Sequence, residues 1–476
     1  MYAATISVAL VGGDVRPVEV QVHVGRQNEQ FKLSGLPDTA VREAKDRVRA
    51  AVVSSGIRFP NRSVTVNLAP AHLPKSGTDF DLPIALGVLA ASREIPPPAG
   101  AVVVGELALD GTVRSGPSTL GAAVLSARTG TPCLVGRAAA GGVAAVPGSR
   151  VHGVSSLAEA VNLLRSGLEH VAGVAPEESV EPPEDGDLSE VMGQPLARRA
   201  VEVAAAGGHH LLLHGPPGGG KTMLARRLSG ILPPLTGAEA VEVALIHAAA
   251  GYERGLSRQR PFRSPHHTAS RAALVGGGSG VAVPGEVSMA HHGILFLDEM
   301  AEFPRANLDT LRQPLEDGHV TVARRGLTAR FPASFHLVAA TNPCPCGFRG
   351  DRRKPCDCRP ALVARYRQRV SGPLLDRFDL VVKVGRLERD ANATTSEPTL
   401  VVRRRVALAA SRLRDGNLGL QSSAREMLDV AVANGLLTGR GGERVGRVAR
   451  TIAALSEGES VEEEHVAEAM ALRGEW

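Results

Sequence analysis

The sequence is poor in aromatic residues and lacks long apolar runs. Aromatic side chains make up 3% of its 476 residues, so base stacking can contribute little to any nucleic-acid binding. No apolar run approaches the roughly 20 residues needed to cross a bilayer. The N-terminal segment has neither a basic leader nor an export-type cleavage signal. We therefore expect no membrane partner and a cytoplasmic location.

Lysine and cysteine are also scarce. Arginine supplies most of the positive charge, and the formal net charge is +5, which permits nucleic-acid binding without demanding it. Of the five cysteines, four fall between residues 344 and 358. Such clustering indicates metal or redox chemistry rather than a disulfide framework. The fifth, Cys133, lies in an apolar run typical of a core strand.

Composition divides the chain into blocks. Residues 1–168 mix alternating strand-like runs with helical stretches, and the Pro-, Glu- and Asp-rich segment in 169–186 is typical of an exposed linker. Residues 187–386 alternate apolar strands with helices, which predicts an α/β domain with a parallel sheet. Residues 387–476 are mostly helical, with apolar residues at three- and four-residue spacing.

A glycine-rich turn between an apolar strand and a helix carries the strongest motif. It reads GPPGGGKT and matches the P-loop pattern. Glycines let backbone N–H groups approach phosphates, and the next helix presents its positive dipole end. We expect Lys221 to neutralise the β- and γ-phosphates of ATP and Thr222 to hold Mg²⁺. The predicted nucleotide-binding residues are Gly215, Pro216, Pro217, Gly218, Gly219, Gly220, Lys221, Thr222 and Met223.

Acidic and polar residues end the next two apolar strands. GILFLDEM ends at Asp298, placed to hold Mg²⁺, and at Glu299, placed to polarise the attacking water. SFHLVAATNP ends at Asn342, where a polar residue orients that water in AAA+ proteins. Together with the P-loop, these positions predict a magnesium-dependent ATPase of the AAA+ class.

Two arginines complete the predicted apparatus. Arg377 precedes the strand in RFDLVVKV and resembles the finger that reaches a neighbouring subunit's γ-phosphate. A local ion pair with Asp376 or Asp379 is the alternative. Arg440, at a helix start, is the candidate second sensor of nucleotide, with Arg444 as the runner-up.

Long, ordered segments resemble the magnesium-chelatase-like AAA+ ATPases of bacteria, most closely the YifB/ComM branch. They include PFRSPHHTAS, PGEVSMAHHGILFLDEMAEF, PASFHLVAATNPCPCG and SGPLLDRFDL. The resemblance covers nearly the whole chain. It implies an AAA+ P-loop core with a C-terminal helical lid, ATP and Mg²⁺ as cofactors, and catalytic roles for Lys221, Thr222, Asp298, Glu299, Asn342, Arg377 and Arg440.

The resemblance also implies a function and partners. Members of the family are thought to form hexameric rings, and the ComM branch is associated with ATP-driven branch migration on DNA during natural transformation. We therefore expect a homohexamer that acts as a helicase or branch-migration motor on single-stranded or branched DNA, with recombination proteins as partners. A chelatase-type or chaperone-type motor that remodels a protein partner is the alternative.

The N-terminal block resembles the Lon protease proteolytic domain, an α+β fold of the ribosomal S5 domain 2-like type. The segment VTVNLAPAHLPKSGTDFDLPIALGVLAAS, followed by GELALDGTVR, reproduces its strand–loop–helix frame. At the position of the nucleophilic serine this chain has Asp79, and the later segment GPSTLGAAVLSA has no lysine to act as the base. We expect no peptidase activity, since a carboxylate without its activating amine cannot perform that acyl transfer.

Two basic segments are candidates for gripping substrate. HVTVA and LTARF alternate in polarity around Arg324, Arg325 and Gly326, which predicts a hairpin with a basic tip. Arginines there would track DNA phosphates, and a solvated tip without a ligand is the alternative. Residues 258–280 carry four further arginines and suit a second pore element. A metal site at the adjacent His266 and His267 is disfavoured, because neighbouring residues seldom point the same way.

The cysteine cluster has the spacing C-x-C, nine residues, C-x-C. Its members are Cys344, Cys346, Cys356 and Cys358. Four thiolates are enough for a tetrahedral structural Zn²⁺, although the one-residue spacing is less typical than C-x2-C. Reduced structural or redox-labile thiols are the alternative.

Overall fold

The computed structural model describes residues 1–26, 29–98, 100–177, 186–252, 255–278, 282–324, 327–351, 353–386, 396–416, 418–474 and 476. Within these ranges no helix combines the length and apolar character that crossing a membrane requires. Short 3₁₀ turns lie at Leu168–His170, Leu188–Glu190 and Met300–Glu302.

The N-terminal part is built on a mixed seven-stranded sheet. Its strands are β1 (Tyr2–Val11), β2 (Asp14–Val24), β3 (Gln30–Ser34), β4 (Ser63–Ala69), β5 (Val102–Val103), β8 (Cys133–Gly136) and β9 (Val151–Val154), and β6 (Glu106–Leu107) pairs separately with β7 (Val113–Arg114). The sheet order is β3-β4-β2-β1-β5-β8-β9. The β1–β2 and β2–β4 pairs are antiparallel, whereas β3–β4 and the pairs from β1 to β9 are parallel.

Helices cover this sheet. They are α1 (Thr39–Arg42), α2 (Ala44–Ser54), α3 (Asp81–Ala91), α4 (Thr119–Thr129), α5 (Arg137–Ala144) and α6 (Leu157–Ser166). Every residue of α3 is buried, because the helix contacts β1 and β2 on one side and α2 on another. A helix that is apolar on all sides can only be stable in such a core. Cys133 is fully buried in β8, as its apolar run predicts.

The middle of the chain forms a five-stranded parallel sheet, which confirms the predicted α/β class. Its order is β11-β12-β15-β10-β16. The strands are β10 (Leu211–His214), β11 (Phe262–Arg263), β12 (Ile294–Leu297), β15 (His336–Thr341) and β16 (Leu380–Lys383). All four pairings are parallel, and β10 lies between β15 and β16. The carboxyl ends of β10, β12 and β15 therefore meet at one edge, where ligands bind in such sheets.

Short helices and one hairpin complete this region. The hairpin consists of β13 (His319–Arg324) and β14 (Leu327–Pro332), paired antiparallel from His319 opposite Pro332 onward. The helices are α7 (Pro195–Gly207), α8 (Lys221–Ile231), α9 (Gly237–Ala249), α10 (Arg271–Val275), α11 (Glu286–Met289), α12 (Arg305–Asp309), α13 (Arg312–Asp317), α14 (Pro360–Arg367) and α15 (Gly372–Leu375).

The described residues from 396 onward contain four helices: α16 (Thr399–Arg414), α17 (Ser422–Ala433), α18 (Gly439–Leu455) and α19 (Glu463–Ala471). Thr438 caps α18 by accepting a hydrogen bond from the Gly441 backbone N–H at 3.0 Å. Val445, Val448 and Ile452 recur at helical spacing on its buried face. That face packs against α7, α16 and α19, so the helical end shares one core with the parallel sheet.

The N-terminal sheet contacts the nucleotide-binding region directly. Ala244 and Leu245 of α9 are buried in one apolar cluster with Val8 of β1 and Leu120 of α4. The turn between β1 and β2 also touches the hairpin, where the Gly13 backbone N–H donates to the Arg330 carbonyl at 3.2 Å. The base of the hairpin therefore rests on the N-terminal sheet.

Candidate functional site

The P-loop follows the buried central strand β10. Gly215 lies so close to β16 that an added Cβ would be 2.0 Å from the Val384 carbonyl oxygen. Gly218 and Gly220 have φ angles of +79° and +82°, a region that glycine adopts without steric cost. The loop then enters α8 at Lys221, so the backbone N–H groups at the start of this helix face the cavity.

Lys221 is held by its own loop. Its Nζ donates to the carbonyls of Gly215 (2.7 Å) and Pro216 (2.9 Å) and to Oδ1 of Asn342 (3.1 Å). Burial lowers the pKa of this ammonium to about 8, and the charges of Asp298 and Glu299 oppose the shift. Lys221 is therefore in direct contact with Asn342, the residue that follows β15.

The acidic pair lies at the end of β12. Asp298 Oδ2 accepts a hydrogen bond from the Thr222 hydroxyl at 2.8 Å, so both predicted Mg²⁺ ligands lie side by side. Glu299 has φ +50°, an uncommon conformation for a residue with a side chain. Its backbone N–H donates to Asp298 Oδ1 at 3.0 Å, which helps to hold this turn.

These residues surround one cavity of about 250 Å³. Its lining residues are Pro217, Gly218, Gly219, Gly220, Lys221, Thr222, Met223, Asp298, Glu299, Ala340, Thr341 and Asn342. The structure thus brings together the predicted phosphate-binding loop, both acidic residues and Asn342. Hard oxygen ligands beside a phosphate-binding loop suit Mg²⁺ and a nucleoside triphosphate.

Arg377 and Arg440 lie elsewhere. They line a separate cavity of about 910 Å³, which among the described residues shares no lining residue with the P-loop cavity. Arg377 pairs with Glu316 of α13 rather than with Asp376 or Asp379. Arg440 is exposed, and no hydrogen bond or ion pair to it is found in the described part of the chain.

Arg444, the alternative sensor, is engaged internally. Its Nη1 donates to the Arg377 carbonyl (2.8 Å) and to Asp379 Oδ1 (3.0 Å), and Arg447 binds the same oxygen at 2.7 Å. Burial of Asp379 opposes its ionisation, but the hydrogen bond from His209 and the charges of His209 and Arg447 outweigh it, so the pKa of Asp379 is lowered. Arg440 is therefore the more available of the two arginines.

The predicted hairpin is confirmed in β13 and β14. Val320, Val322, Ala329 and Phe331 are buried on one face, while Thr321, Thr328 and Arg330 are exposed on the other. Arg325 and the side chain of Arg324 lie outside the described residues. In the second basic segment, Arg260 and Arg263 have internal partners, the latter a bidentate pair with Glu286. That leaves Arg258 and Arg271 as the exposed arginines of this segment.

The four clustered cysteines converge. Sγ of Cys344 lies 3.4 Å from that of Cys346 and 3.6 Å from that of Cys356, and the Cys346–Cys356 distance is also 3.6 Å. All four sulfurs, Cys358 included, lie within 4.8 Å of one another. A hydrogen bond from the Phe348 backbone N–H lowers the pKa of the Cys346 thiol to about 6. This cluster can hold a metal ion.

Some contacts have no signal in the linear sequence. His267 Nδ1 lies 3.7 Å from Glu299 Oε2, so His267 lies next to a residue that lines the P-loop cavity. Glu242, His291 and His292 form a second close group of potential metal ligands. However, His291 Nδ1 accepts from the Ser334 backbone N–H at 3.0 Å, which leaves the Nε2 proton to donate to Glu242. A ring bonded in this way has no lone pair for a metal, so we assign this group to structural hydrogen bonding.

Comparison with known proteins places all three parts of the chain in one family. Residues 187–392 match the family described as magnesium chelatase, subunit ChlI; residues 18–137 match subunit ChlI of Mg-chelatase; and residues 396–473 match its C-terminal region. An uncharacterized protein of Mycobacterium tuberculosis is 43% identical over 98% of this chain and 97% of its own length.

The chain is also similar to YifB and ComM over nearly its whole length. The uncharacterized protein YifB of Escherichia coli is 38% identical, with 98% of this chain and 96% of YifB covered. The competence protein ComM of Haemophilus influenzae is 37% identical, with 99% of this chain and 97% of ComM covered. These similarities extend over all the site residues described above.

Proposed function

Since this chain belongs to the magnesium-chelatase-like family, in the branch that contains YifB and ComM, we propose that it is a ring-forming ATPase that moves on DNA. The observation that carries the ATPase part is the convergence of Lys221, Thr222, Asp298, Glu299 and Asn342 on one cavity. Phosphoryl transfer needs little covalent chemistry from a protein and is driven by positioning and charge stabilisation. This cavity offers both.

We assign each residue one step. Lys221 leaves the carbonyls of Gly215 and Pro216 to bind the β- and γ-phosphates, which offer a stronger charged partner. Thr222 and Asp298 hold Mg²⁺, which supplies charge neutralisation at the phosphates. Glu299 and Asn342 orient the attacking water, and loss of the lysine contact frees the Asn342 amide for that role.

The position of Arg377 supports a ring. An arginine finger stabilises charge on the transferred phosphoryl group, yet Arg377 lines a cavity separate from its own P-loop. We infer that it serves the nucleotide of the next subunit, together with Arg440 as the second sensor. Repeated head-to-tail contacts of this kind close into a ring, and a hexamer is the ring we propose.

The proposed substrate is DNA, in single-stranded or branched form. Arg324 is the last residue of β13 and Arg325 follows it in the sequence, and basic residues at the tip of a hairpin suit the phosphate backbone. The similarity to a competence protein supports the same assignment. We propose that ATP hydrolysis drives translocation and branch migration during transformation or recombination, where recombination proteins would be partners.

DNA-stimulated ATP hydrolysis tests this proposal most directly. We expect DNA to raise the hydrolysis rate of the purified protein, and ATP to drive migration of a synthetic four-way junction. The Lys221→Ala variant should do neither. If the rate of ATP hydrolysis does not change when DNA is added at low salt, but rises when a protein partner is added, the chelatase-type or chaperone-type alternative would be favoured instead.

The role of the hairpin can be tested by removing its arginines. Replacing Arg324 and Arg325 by alanine should weaken DNA binding and flatten its salt dependence by about one unit of log–log slope per lost contact, while sparing ATP hydrolysis without DNA. Arg330→Ala is the control, because this exposed arginine lies at the hairpin base and interacts with His319. Equal DNA affinity in the tip and base variants would remove the tip from the DNA site.

We propose Zn²⁺ as the ligand of the cysteine cluster. Tetrahedral coordination at a Zn–S distance of about 2.3 Å places the sulfurs about 3.8 Å apart, close to the observed 3.4 to 3.6 Å. Four thiolates also form the donor set that selects zinc over Mg²⁺ or Ca²⁺. Metal analysis of the purified protein should give about one zinc per chain; four reactive thiols without metal would support the redox alternative.

We further propose that residues 1–168 form an inactive Lon-protease-like domain that packs the ring. Asp79 occupies the nucleophile position and is 2% exposed. The Lys75 ammonium donates to the Leu68 carbonyl at 2.9 Å and also to that of Pro70, rather than to a reacting group. Purified protein should leave unfolded casein intact. ATP-dependent cleavage would contradict an inactive domain, and cleavage that survives the Asp79→Ala substitution would point to a nucleophile elsewhere.

A further inference from the structure

The cysteine cluster touches the ATP cavity at two points. Gly347 follows Cys346 and lies so close to the P-loop that an added Cβ would be 2.8 Å from Cδ of Pro217 and 3.9 Å from Cγ of Asn342. Asn342 itself precedes Cys344 by two residues and accepts the Lys221 hydrogen bond. Any shift of this loop would therefore reach both the P-loop and the residue that orients water.

Regular structure does little to hold this loop. Its described residues between Cys344 and Cys358 form no helix or strand. Turn hydrogen bonds and an ion pair between Asp351 and Arg386 (2.7 Å) support its middle. The two cysteine pairs lie at opposite ends of the loop, so a metal bound by all four would close it. Closing such a loop removes conformations that compete with the observed one.

We infer that metal binding at the four cysteines holds Gly347 against Pro217 and thereby sets the affinity of the P-loop for ATP. This inference rests on the proposed ATP site and the proposed zinc ligand. It assigns the metal a supporting role: the thiolates position a loop, the loop positions Pro217, and the P-loop N–H groups then meet the phosphates. Small errors in such positioning are costly, because phosphate binding depends on several aligned donors.

Metal removal from the full chain gives the first test. Zinc content, circular dichroism and affinity for a fluorescent ATP analogue are measured before and after chelation, with the chelator removed by gel filtration before Mg²⁺ is restored. We expect a loss of about tenfold or more in ATP affinity with the helical signal retained, and recovery with one equivalent of Zn²⁺. Unchanged affinity in folded, metal-free protein would overturn the inference.

The outcomes separate this inference from the proposals beneath it. A protein purified without metal would refute the zinc proposal itself. A metal-loaded protein that binds no ATP would refute the ATP site. Only a protein that loses its metal and keeps its ATP affinity contradicts the coupling alone.

Two glycines of the same loop give the second test. Gly347 and Gly350 have φ angles of +85° and +76°, so alanine is strained to a similar degree at both. An added Cβ at Gly350 meets nothing closer than Lys383 Nζ at 3.7 Å, whereas at Gly347 it meets the P-loop. We expect Gly347→Ala to weaken ATP binding with zinc content unchanged, and Gly350→Ala to bind ATP normally. Equal affinities in the two variants would contradict the proposed contact.

Discussion

Asp79 is a carboxylate with little to compensate its burial. One oxygen accepts a hydrogen bond from the Ser118 backbone N–H at 2.8 Å, and the other has no partner among the described residues. Burial raises the pKa of Asp79, and the nearby charge of Glu106 adds to the shift against the Ser118 hydrogen bonds. Because the ordinary pKa returns on unfolding, this residue penalises folding at neutral pH and ceases to do so as the pH falls toward about 4.

Replacing Asp79 by asparagine should therefore stabilise the protein. At pH 7.5 we expect the unfolding temperature to rise by about 2–4 °C, the shift that roughly 1 kcal/mol produces in a domain of this size. The gain should shrink as the pH approaches 4.5. Asp110→Asn is the control, since Asp110 is exposed and a hydrogen bond from the Thr112 N–H lowers its pKa. Thermal unfolding across pH checks this; an Asp79 variant no more stable than wild type at pH 7.5 would be inconsistent with a costly buried charge.

At this scale, the sequence predicts residues whose chemistry is local. Lys221 and Thr222 directly follow a glycine-rich loop whose spacing matches a phosphate-binding motif, so the sequence alone predicts them. Gly347 and His267 could not, because their importance lies in contacts with Pro217 and Glu299, which are distant in the chain. Arg440 and Arg444 are both plausible on the linear pattern. The difference between them depends on Asp379, which accepts a hydrogen bond from Arg444 but has none from Arg440 among the described contacts.

At the scale of elements, the β1–β2 turn supports the hairpin proposed to contact DNA. Gly12 has φ +64°, and a Cβ there would lie 2.5 Å from the Arg330 carbonyl oxygen of β14. A Cβ at the neighbouring Gly13 would meet Pro332 Cδ at 2.6 Å. Only glycine lets the turn approach this closely, so both positions serve the contact between the N-terminal sheet and the hairpin.

Alanine at Gly12 should loosen this contact. Gly56 is the matched control, because it has φ +72° in the same region and a Cβ there meets nothing within 4 Å. Both substitutions cost about 1–2 kcal/mol of backbone strain. Only Gly12→Ala should also increase hydrogen exchange in β14 and lower the unfolding temperature further. Identical exchange in the two variants would show that the turn does not hold the hairpin.

The elements themselves were predictable to different extents. Apolar runs ending in Gly215, Asp298 and Asn342 predict three strands of a parallel sheet, and alternation predicts the β13–β14 hairpin. The sheet order β11-β12-β15-β10-β16 was not predictable, because it depends on which strands the crossover helices bring together. The packing of α9 against the N-terminal sheet was also not predictable, since its buried residues Ala244 and Leu245 would suit any apolar neighbour.

At the scale of the whole molecule, the proposed catalytic residues are distributed between two cavities. Lys221, Asp298 and Glu299 line one, whereas Arg377 and Arg440 line the other. The motifs predict all five residues but not this separation, because motif order along the chain contains no information about which cavity each side chain enters. If the cavities meet across a subunit interface, each complete site contains residues from two chains.

Mixing two inactive variants tests that division. The Lys221→Ala variant should not hydrolyse ATP, because it lacks the phosphate contact. In the Arg377→Ala variant the rate of ATP hydrolysis should fall by about 10³-fold or more, because it lacks the arginine finger. Each interface joins unlike surfaces of two subunits, one contributing Lys221 and the other Arg377. In a ring assembled from equal amounts of both variants, both residues are therefore intact at roughly a quarter of the interfaces. We expect co-expressed mixtures to hydrolyse ATP faster than either parent. The control is a mixture of Arg377→Ala with the double variant Lys221→Ala, Arg377→Ala, because no interface in that mixture contains Arg377. A mixture no more active than its parents would mean that Arg377 does not complete a neighbour's site.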